Sequence, residues 1–379
     1  MSRIRVLVID DAVVIRKILS DAISADPELE VVATAANGRI GLQKIPQVNP
    51  DVITLDFEMP EMDGLETLRH IRKDYPKLPV IMFSTLTERG ADATFEALAL
   101  GANDYVTKPA NVGSVTNSRE AVEKDLIRKI KALSLKAKSL EAGQRNISLR
   151  APELLPQTVR PALRPTSNTQ KHIDVLTIGV STGGPNALAF LIPKLPEDLG
   201  IPVLIVQHMP PMFTRLLAER LNSQSKLNVV EASDGMTVTP GTVYIAPGDY
   251  HLEVFQSSKG VRTKLQQGPP ENSCRPAVDV LFRSVAAVYG GNILGVILTG
   301  MGSDGLRGCE LIKENGGVVF AQDKESSVVW GMPGYVAEAG LADLILPLEA
   351  IPQEIVRQKN LFRTRSAPIS SSASIGSDK

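Results

Sequence analysis

A chain of 379 residues exceeds what one hydrophobic core usually organises, so two domains of ordinary size are expected. Apolar residues make up 43% and charged ones 22%, and the formal net charge is -1, which argues against a surface that seeks nucleic acid or inserts into a membrane. Two cysteines, Cys274 and Cys309, are too few for a disulfide framework and lack the paired spacing of a zinc site; with no apolar run suited to a signal peptide or membrane span, a reducing, cytoplasmic setting is expected.

From the first residue, short Val/Ile/Leu runs alternate with amphipathic stretches. Ile4–Ile9, Val31–Ala35, Val52–Leu55, Val80–Phe83 and Tyr105–Val106 read as strands, and helical spacing runs over Ala12–Ala25, Leu65–Lys73 and Ala93–Leu100. This alternation predicts an α/β, doubly wound parallel sheet over residues 1–120. Function in such a sheet gathers at the carboxyl ends of strands, where Asp10, Asp11, Asp56, Ser84 and Lys108 fall. Carboxylates sharing one pocket repel one another unless a hard cation sits among them, for which Mg2+ with retained waters is the natural ligand. A lone Asp at a strand end is ordinarily a helix N-cap, but that explanation does not cover the whole set.

This set, with Asp56-Phe57-Glu58-Met59-Pro60-Glu61-Met62-Asp63-Gly64 and Thr107-Lys108-Pro109, resembles the response-regulator receiver family. The resemblance implies that Asp56 accepts a phosphoryl group, and that Asp11 and the Glu58 carbonyl join it on Mg2+ with Asp10 close by. It further implies that Ser84 and Lys108 contact the phosphoryl group and that Tyr105 is the aromatic that reports the switch.

Between Arg119 and Leu140, Val122, Leu126, Ile130, Leu133, Ala137 and Leu140 form one apolar stripe at helical spacing. The other faces carry Lys124, Arg128, Lys129, Lys131, Lys136 and Lys138. We read a docked amphipathic helix with a solvated basic face; the alternative is a face for an acidic or nucleic-acid partner, although no recognition-helix pattern follows. Gly143–Gln170 loses periodicity and collects Pro152, Pro156, Pro161 and Pro165, so residues 121–170 are expected to be this helix and a linker. A second series, Ile173–Val180, Val203–Val206, Thr242–Ile245, Ile293–Leu298 and Val318–Ala321, predicts a Rossmann-like, doubly wound domain over residues 171–360. Residues 361–379 are Ser-rich and read as a disordered tail.

In the second domain the first strand runs into Ser181-Thr182-Gly183-Gly184-Pro185, a glycine turn before a helix that suits a phosphate or an oxyanion. It lacks the Lys of a P-loop and is not a G-x-S-x-G elbow. His208 ends the next strand, at the same edge as Ser181, and is placed to take a proton from it. A lone His at a strand end is usually structural. A later turn, Gly300-Met301-Gly302-Ser303-Asp304-Gly305, matches a dinucleotide fingerprint with Asp323 about 20 residues beyond. In the rival reading, Asp304 orients His208 while the backbone N–H groups of Thr182 and Met301 hold an oxyanion.

Ser, His and Asp in that order on strand-end loops, with Ile245-Ala246-Pro247-Gly248, Arg275-Pro276-Ala277-Val278-Asp279 and Trp330-Gly331-Met332-Pro333-Gly334, resemble the catalytic domain of the chemotaxis protein-glutamate methylesterase/glutaminase family. The resemblance implies a hydrolase controlled by phosphorylation, acting on glutamate methyl esters and glutamines of methyl-accepting chemoreceptors. It implies a chemotaxis histidine kinase as phosphodonor, and no metal or organic cofactor in the second domain. A catalytically dead binding module, a nicotinamide enzyme and a receiver-controlled transcription factor are the remaining alternatives.

Overall fold

The computed structural model describes residues 3–85, 87–108, 124–134 and 172–363; the proline-rich linker and the polar tail lie outside them, as do Val122, Lys136, Ala137, Lys138 and Leu140 of the striped helix. The first unit runs β1 (Ile4–Ile9), α1 (Val13–Ser24), β2 (Leu29–Ala35), α2 (Gly38–Val48), β3 (Val52–Asp56), α3 (Gly64–Asp74), β4 (Val80–Ser84), α4 (Glu88–Ala99) and β5 (Asp104–Thr107). Its strands form one parallel sheet in the order β2-β1-β3-β4-β5. β3 and β4 are buried on both faces, which is why they read as unbroken apolar runs. The helices start where the sequence offers caps: Asn37, Asp63 and Thr87 each accept from a backbone N–H of the following turn.

A helix over residues 124–134 (α5) completes this unit. Leu126, Ile130 and Leu133 are buried in one apolar cluster with Val6, Val8 and Val106 of the sheet, so the described part of the stripe docks on the receiver-like unit itself. The described basic face is solvated only in part: Lys124 and Arg128 are exposed as expected, whereas Lys129 and Lys131 turn to the domain. Lys129 lies 3.5 Å from Asp104 and 3.2 Å from Asp125, and donates to the Tyr105 carbonyl at 2.6 Å. Lys131 pairs with Asp26 at 2.8 Å and with Glu28. These charges fasten the helix to its own domain.

The second unit contains β6 (Val175–Val180), α6 (Gly184–Leu191), β7 (Val203–Gln207), α7 (Phe213–Gln224), β8 (Asn228–Glu231), β9 (Thr242–Ile245), β10 (His251–Ser257) and β11 (Gly260–Gln266). It continues through α8 (Val278–Tyr289), β12 (Ile293–Ile297), α9 (Leu306–Glu314), β13 (Val318–Gln322), α10 (Met332–Glu338), β14 (Leu344–Leu346) and α11 (Ile351–Arg363). The parallel sheet has the order β14-β13-β12-β6-β7-β9-β8, and β10 and β11 form a separate antiparallel hairpin packed against α8. Chain direction across the sheet reverses at β6, between β12 and β7. A crevice opens beyond the strand ends at such a switch point, and Ser181 stands there.

The two units meet through α4, β5 and α7. Phe213, fully buried, stacks on Tyr105 with ring centroids 5.0 Å apart and planes 1° from parallel, and Phe95 lies 6.3 Å from the same ring. Arg220 sits over the Phe95 ring at 6.0 Å, and Arg215 pairs with Glu88. Met301, Val328 and Val329 of the second unit share an apolar cluster with Ala12 and Ile15 of the first.

Candidate active site

Three strand ends bring the predicted residues of the second unit together. β6 and β7 are paired with Val180 opposite Gln207, and the His208 N–H donates to the Val180 carbonyl at 3.2 Å, so Ser181 and His208 step off adjacent strands side by side. Ser181 is pinned by its main chain: its N–H donates to the Thr299 carbonyl at 3.0 Å, and its carbonyl accepts from Gly184 N–H at 2.7 Å and Gln207 Nε2 at 3.0 Å. The turn is close-packed. A Cβ on Gly300 would stand 2.9 Å from the Ser181 Cβ and 2.4 Å from the Met332 sulfur, while Gly183 holds φ +77° beneath Val328.

His208 and Asp304 form a hydrogen bond of 2.7 Å between Nε2 and Oδ2. Asp304 is held from all sides: Oδ2 also accepts from Val278 N–H at 2.7 Å, and Oδ1 from Asp279 N–H at 3.0 Å and Asn272 Nδ2 at 2.9 Å. The backbone donors are the open N–H groups at the start of α8, which favour negative charge there. Burial alone would raise the Asp304 carboxyl, but the His208 contact and these donors bring it below its ordinary value. Burial likewise opposes a charged His208, yet Asp304 and the Cys274 sulfur more than reverse it, and the imidazole is pushed up to about 10.

The imidazole is not joined to the serine. Its Nδ1 meets Cys274 Sγ at 3.6 Å, and among the described residues the Ser181 hydroxyl makes no hydrogen bond. The N–H groups of Thr182 and Met301 likewise have no backbone acceptor among the described residues. His251, by contrast, is buried and satisfied, bonded to the Pro269 carbonyl at 3.0 Å and the Ala277 N–H at 3.2 Å. The Gly300–Gly305 turn packs against Ser181 and Trp330, and Asp323 is engaged locally with Ser326 at 2.7 Å, which leaves the dinucleotide alternative without a ribose partner or an open turn.

Three residues of this site were not read from the sequence. Gln207 bridges the carbonyls of Ser181 and His208 at 3.0 and 3.1 Å; Asn272 joins Asp304 to Asp279; and Cys274 faces His208. Adjacency to His208 is the one signal that could have exposed Gln207. Asn272 and Cys274 come from a turn after the hairpin, which no periodicity marks.

In the first unit, Asp10, Asp11 and Asp56 present carboxylate oxygens within 4.8 Å of one another, the first and last buried and Asp11 exposed. Lys108 Nζ lies 2.7 Å from Asp56 Oδ1 and 3.5 Å from Asp10 Oδ2. Burial, resisted by Lys108 and reinforced by Asp10, raises the Asp56 carboxyl to about 6, and burial raises Asp10 as well. Asp10 Oδ2 and Asp56 Oδ2 are buried without a hydrogen-bond donor. An all-oxygen cluster with two orphaned acceptors fits a hard divalent cation. The remaining expected residues lie around this pocket with contacts of their own. Ser84 Oγ donates to the Gly90 carbonyl at 3.0 Å and accepts from Thr94 at 2.8 Å. Tyr105 is buried against Phe213. Glu58 is exposed at the loop after β3.

Comparison with known proteins agrees with this layout. Residues 176–355 match the CheB methylesterase family and residues 6–119 the response regulator receiver domain. The protein-glutamate methylesterase/protein-glutamine glutaminase of Nocardioides sp. is 55% identical over 94% of this chain and 96% of its own, and that of Trichodesmium erythraeum is 52% identical over 94% and 99%. The crystal structure of the Thermotoga maritima CheB methylesterase catalytic domain, 47% identical, aligns over 49% of this chain and 98% of its own with a TM-score of 0.48. A receiver unit followed by one methylesterase unit, matched along nearly the whole chain to relatives 55% and 52% identical, makes the chain a member of the CheB family of protein-glutamate methylesterase/protein-glutamine glutaminases.

Proposed function

We propose that this protein hydrolyses glutamate methyl esters, and deamidates glutamines, on the cytoplasmic helices of methyl-accepting chemoreceptors, with Ser181, His208 and Asp304 as the catalytic triad. The 2.7 Å bond between His208 and a fully satisfied Asp304, one strand from the Ser181 turn, carries the reading. Because Asp304 occupies Nε2, Nδ1 is the nitrogen that takes the serine proton once a substrate draws Ser181 and His208 together. Ser181 Oγ then bonds to the side-chain carbonyl carbon, and the developing oxyanion meets the Thr182 and Met301 N–H groups. His208 returns the proton to methanol or ammonia as it leaves, and water cleaves the acyl-enzyme by the same route. Asp304 stabilises the imidazolium formed at each step.

The receiver supplies control from within the cytoplasm. Asp56 accepts a phosphoryl group from the phosphohistidine of a chemotaxis kinase; Asp10, Asp11, Asp56 and the Glu58 carbonyl would hold Mg2+, which offsets the charge of the acyl phosphate when bound. Lys108 and a reoriented Ser84 contact that phosphoryl group, and the Tyr105–Phe213 stack carries the change to α7. Unphosphorylated, the receiver would restrict entry of a receptor helix to the Ser181 edge, a reading supported by the packing of its Tyr105 on Phe213 and of its Ala12 and Ile15 in one cluster with Val328 and Val329.

The test is mass spectrometry of a methylated receptor fragment incubated with the protein and a small-molecule phosphodonor. Loss of the methyl group, abolished by Ser181→Ala with circular dichroism unchanged, is the expected result. Near-normal turnover by that variant would overturn the nucleophile assignment.

A further inference from the structure

We propose that Cys274 Sγ and His208 Nδ1 form a site for a thiophilic divalent cation such as Zn2+, and that filling it switches the esterase off. The inhibitory half of this inference rests on the role given above to His208 Nδ1. The metal site itself does not.

The spacing of the donors is the first argument. Zinc binds sulfur at about 2.3 Å and imidazole nitrogen at about 2.0–2.1 Å with tetrahedral angles, which places the two donor atoms about 3.6 Å apart. Sγ and Nδ1 stand 3.6 Å apart. The donor types are the second. A thiol beside an imidazole selects soft or borderline ions, whereas the receiver pocket of Asp10, Asp11 and Asp56 offers oxygen alone and suits hard ones.

The supporting shell is the third argument. Metal-bound imidazoles typically donate their other N–H to a carboxylate, which fixes the ring and raises its basicity. Here Nε2 is bonded to Asp304 at 2.7 Å, and Asp304 is itself fixed by Asn272 and the start of α8. Cys274 is presented with comparable rigidity. Asn272 and Ser273 hold φ +53° and +64°, and backbone hydrogen bonds of 3.1 and 2.9 Å between Glu271 and Cys274 close the turn. Arg283 clamps Glu271 at 2.6 and 2.8 Å. Asn272 thus ties the thiol-bearing turn to the same aspartate that steers the imidazole.

Access and consequence follow. Cys274 and His208 are partly exposed, whereas Cys309, the other thiol, is fully buried. A cation displaces the thiol proton and the Nδ1 proton of the charged imidazole to solvent and takes the Nδ1 lone pair, leaving its remaining positions to water or the Ser181 hydroxyl. No base is then left for Ser181. Because protons compete for both donors, inhibition should strengthen as pH rises.

The experiment uses the full chain at constant Mg2+. Methanol release from a methylated receptor fragment is followed against buffered free Zn2+ for the wild type, Cys274→Ala and Cys274→Ser, each normalised to its own zinc-free rate. In parallel, Cd2+ is titrated while the ultraviolet thiolate-to-metal absorbance is recorded. The wild type should be inhibited, recover with chelator, and develop the absorbance at a single equivalent. Both variants should lack that absorbance and need at least about 10- to 100-fold more Zn2+ for half-inhibition, since losing a ligand costs no less than losing the outer-shell partner for which that range is typical. Equal zinc sensitivity in the variants would overturn the proposal, as would absence of the absorbance in the wild type. Absorbance without inhibition would overturn the inhibitory half. Should either variant prove inactive, the Cd2+ titration still decides the site. Residual turnover by Ser181→Ala would undo the triad while leaving the Cd2+ result intact, so the two failures are separable.

Discussion

Replacing Asp56 by asparagine should stabilise the receiver at alkaline pH, by an amount the pocket itself indicates. Burial raises this carboxyl from 3.8 to about 6, with Lys108 opposing and Asp10 adding to the effect. A native-state value above the unfolded one means that the folded protein holds the extra proton between those two values. Stability therefore falls as pH rises through the window from 3.8 to about 6, and the deficit is complete above it. That gap corresponds to about 3 kcal/mol at most. The Lys108 contact is already contained in that shift, so asparagine reduces the gain only as far as its amide pairs less well than the protonated carboxyl. A net gain of about 1–2 kcal/mol remains, or roughly 4–12 °C for a domain of this size. Thermal unfolding of the full chain in chelator would be measured at about pH 8 and about pH 4, with hydrogen exchange of the β3 amides assigning the transition to the receiver. The gain should be present at the higher pH, nearly absent at the lower, and narrowed by Mg2+, which favours the wild type. An equal gain at both pH values, or a loss at the higher one, would refute the reasoning that charge burial governs this pocket.

Three further outcomes are expected. With His208 pushed up to about 10 and required as a neutral base, kcat/KM should climb with pH through neutrality; Asp304→Asn should shift that limb to lower pH and depress the maximum by up to about 10^4, and a profile already flat at neutral pH would contradict the assignment. Phosphoryl uptake from a small-molecule donor should require Mg2+ and vanish in Asp56→Asn; labelling that survives unchanged would point to another acid. A fragment beginning at His172 should outpace the unphosphorylated whole chain by about 5- to 150-fold, the usual range of such coupling, and ignore phosphodonor. Equal initial rates would exclude inhibition by covering.

Much of the fold was legible because both central sheets are buried on two faces. Strands such as Val52–Asp56 and Val203–Gln207 have little choice but to be apolar throughout, and the reading placed them within a residue or two. The reading named neither α2 nor the hairpin. Pro46 and two glycines dilute the helical signal of Gly38–Val48, and β10 and β11 expose much of one face, where Glu253, Phe255 and Lys264 blur the alternation. At the site, the order Ser181, His208, Asp304 could be read because each stands at a strand end, and topology then forces them together. Side-chain direction could not. Nothing in the sequence says that Ser84 turns toward Gly90, that His208 faces Cys274, or that Lys129 lies half-buried with its ammonium over the Tyr105 ring rather than solvated.

Under the proposed control, the parallel stacking of Tyr105 on Phe213 would make the two domains mutual effectors. If docking favours one arrangement of the phosphoryl pocket, then the catalytic domain reads out the receiver and, by reciprocity, biases the equilibrium of Asp56 between free and phosphorylated forms by the same factor. A receptor helix that competes for the α7 surface would release that bias. Substrate would thus act upstream of the signal as well as downstream, and an abundance of methylated receptor would raise the receiver's own capacity to hold a phosphoryl group.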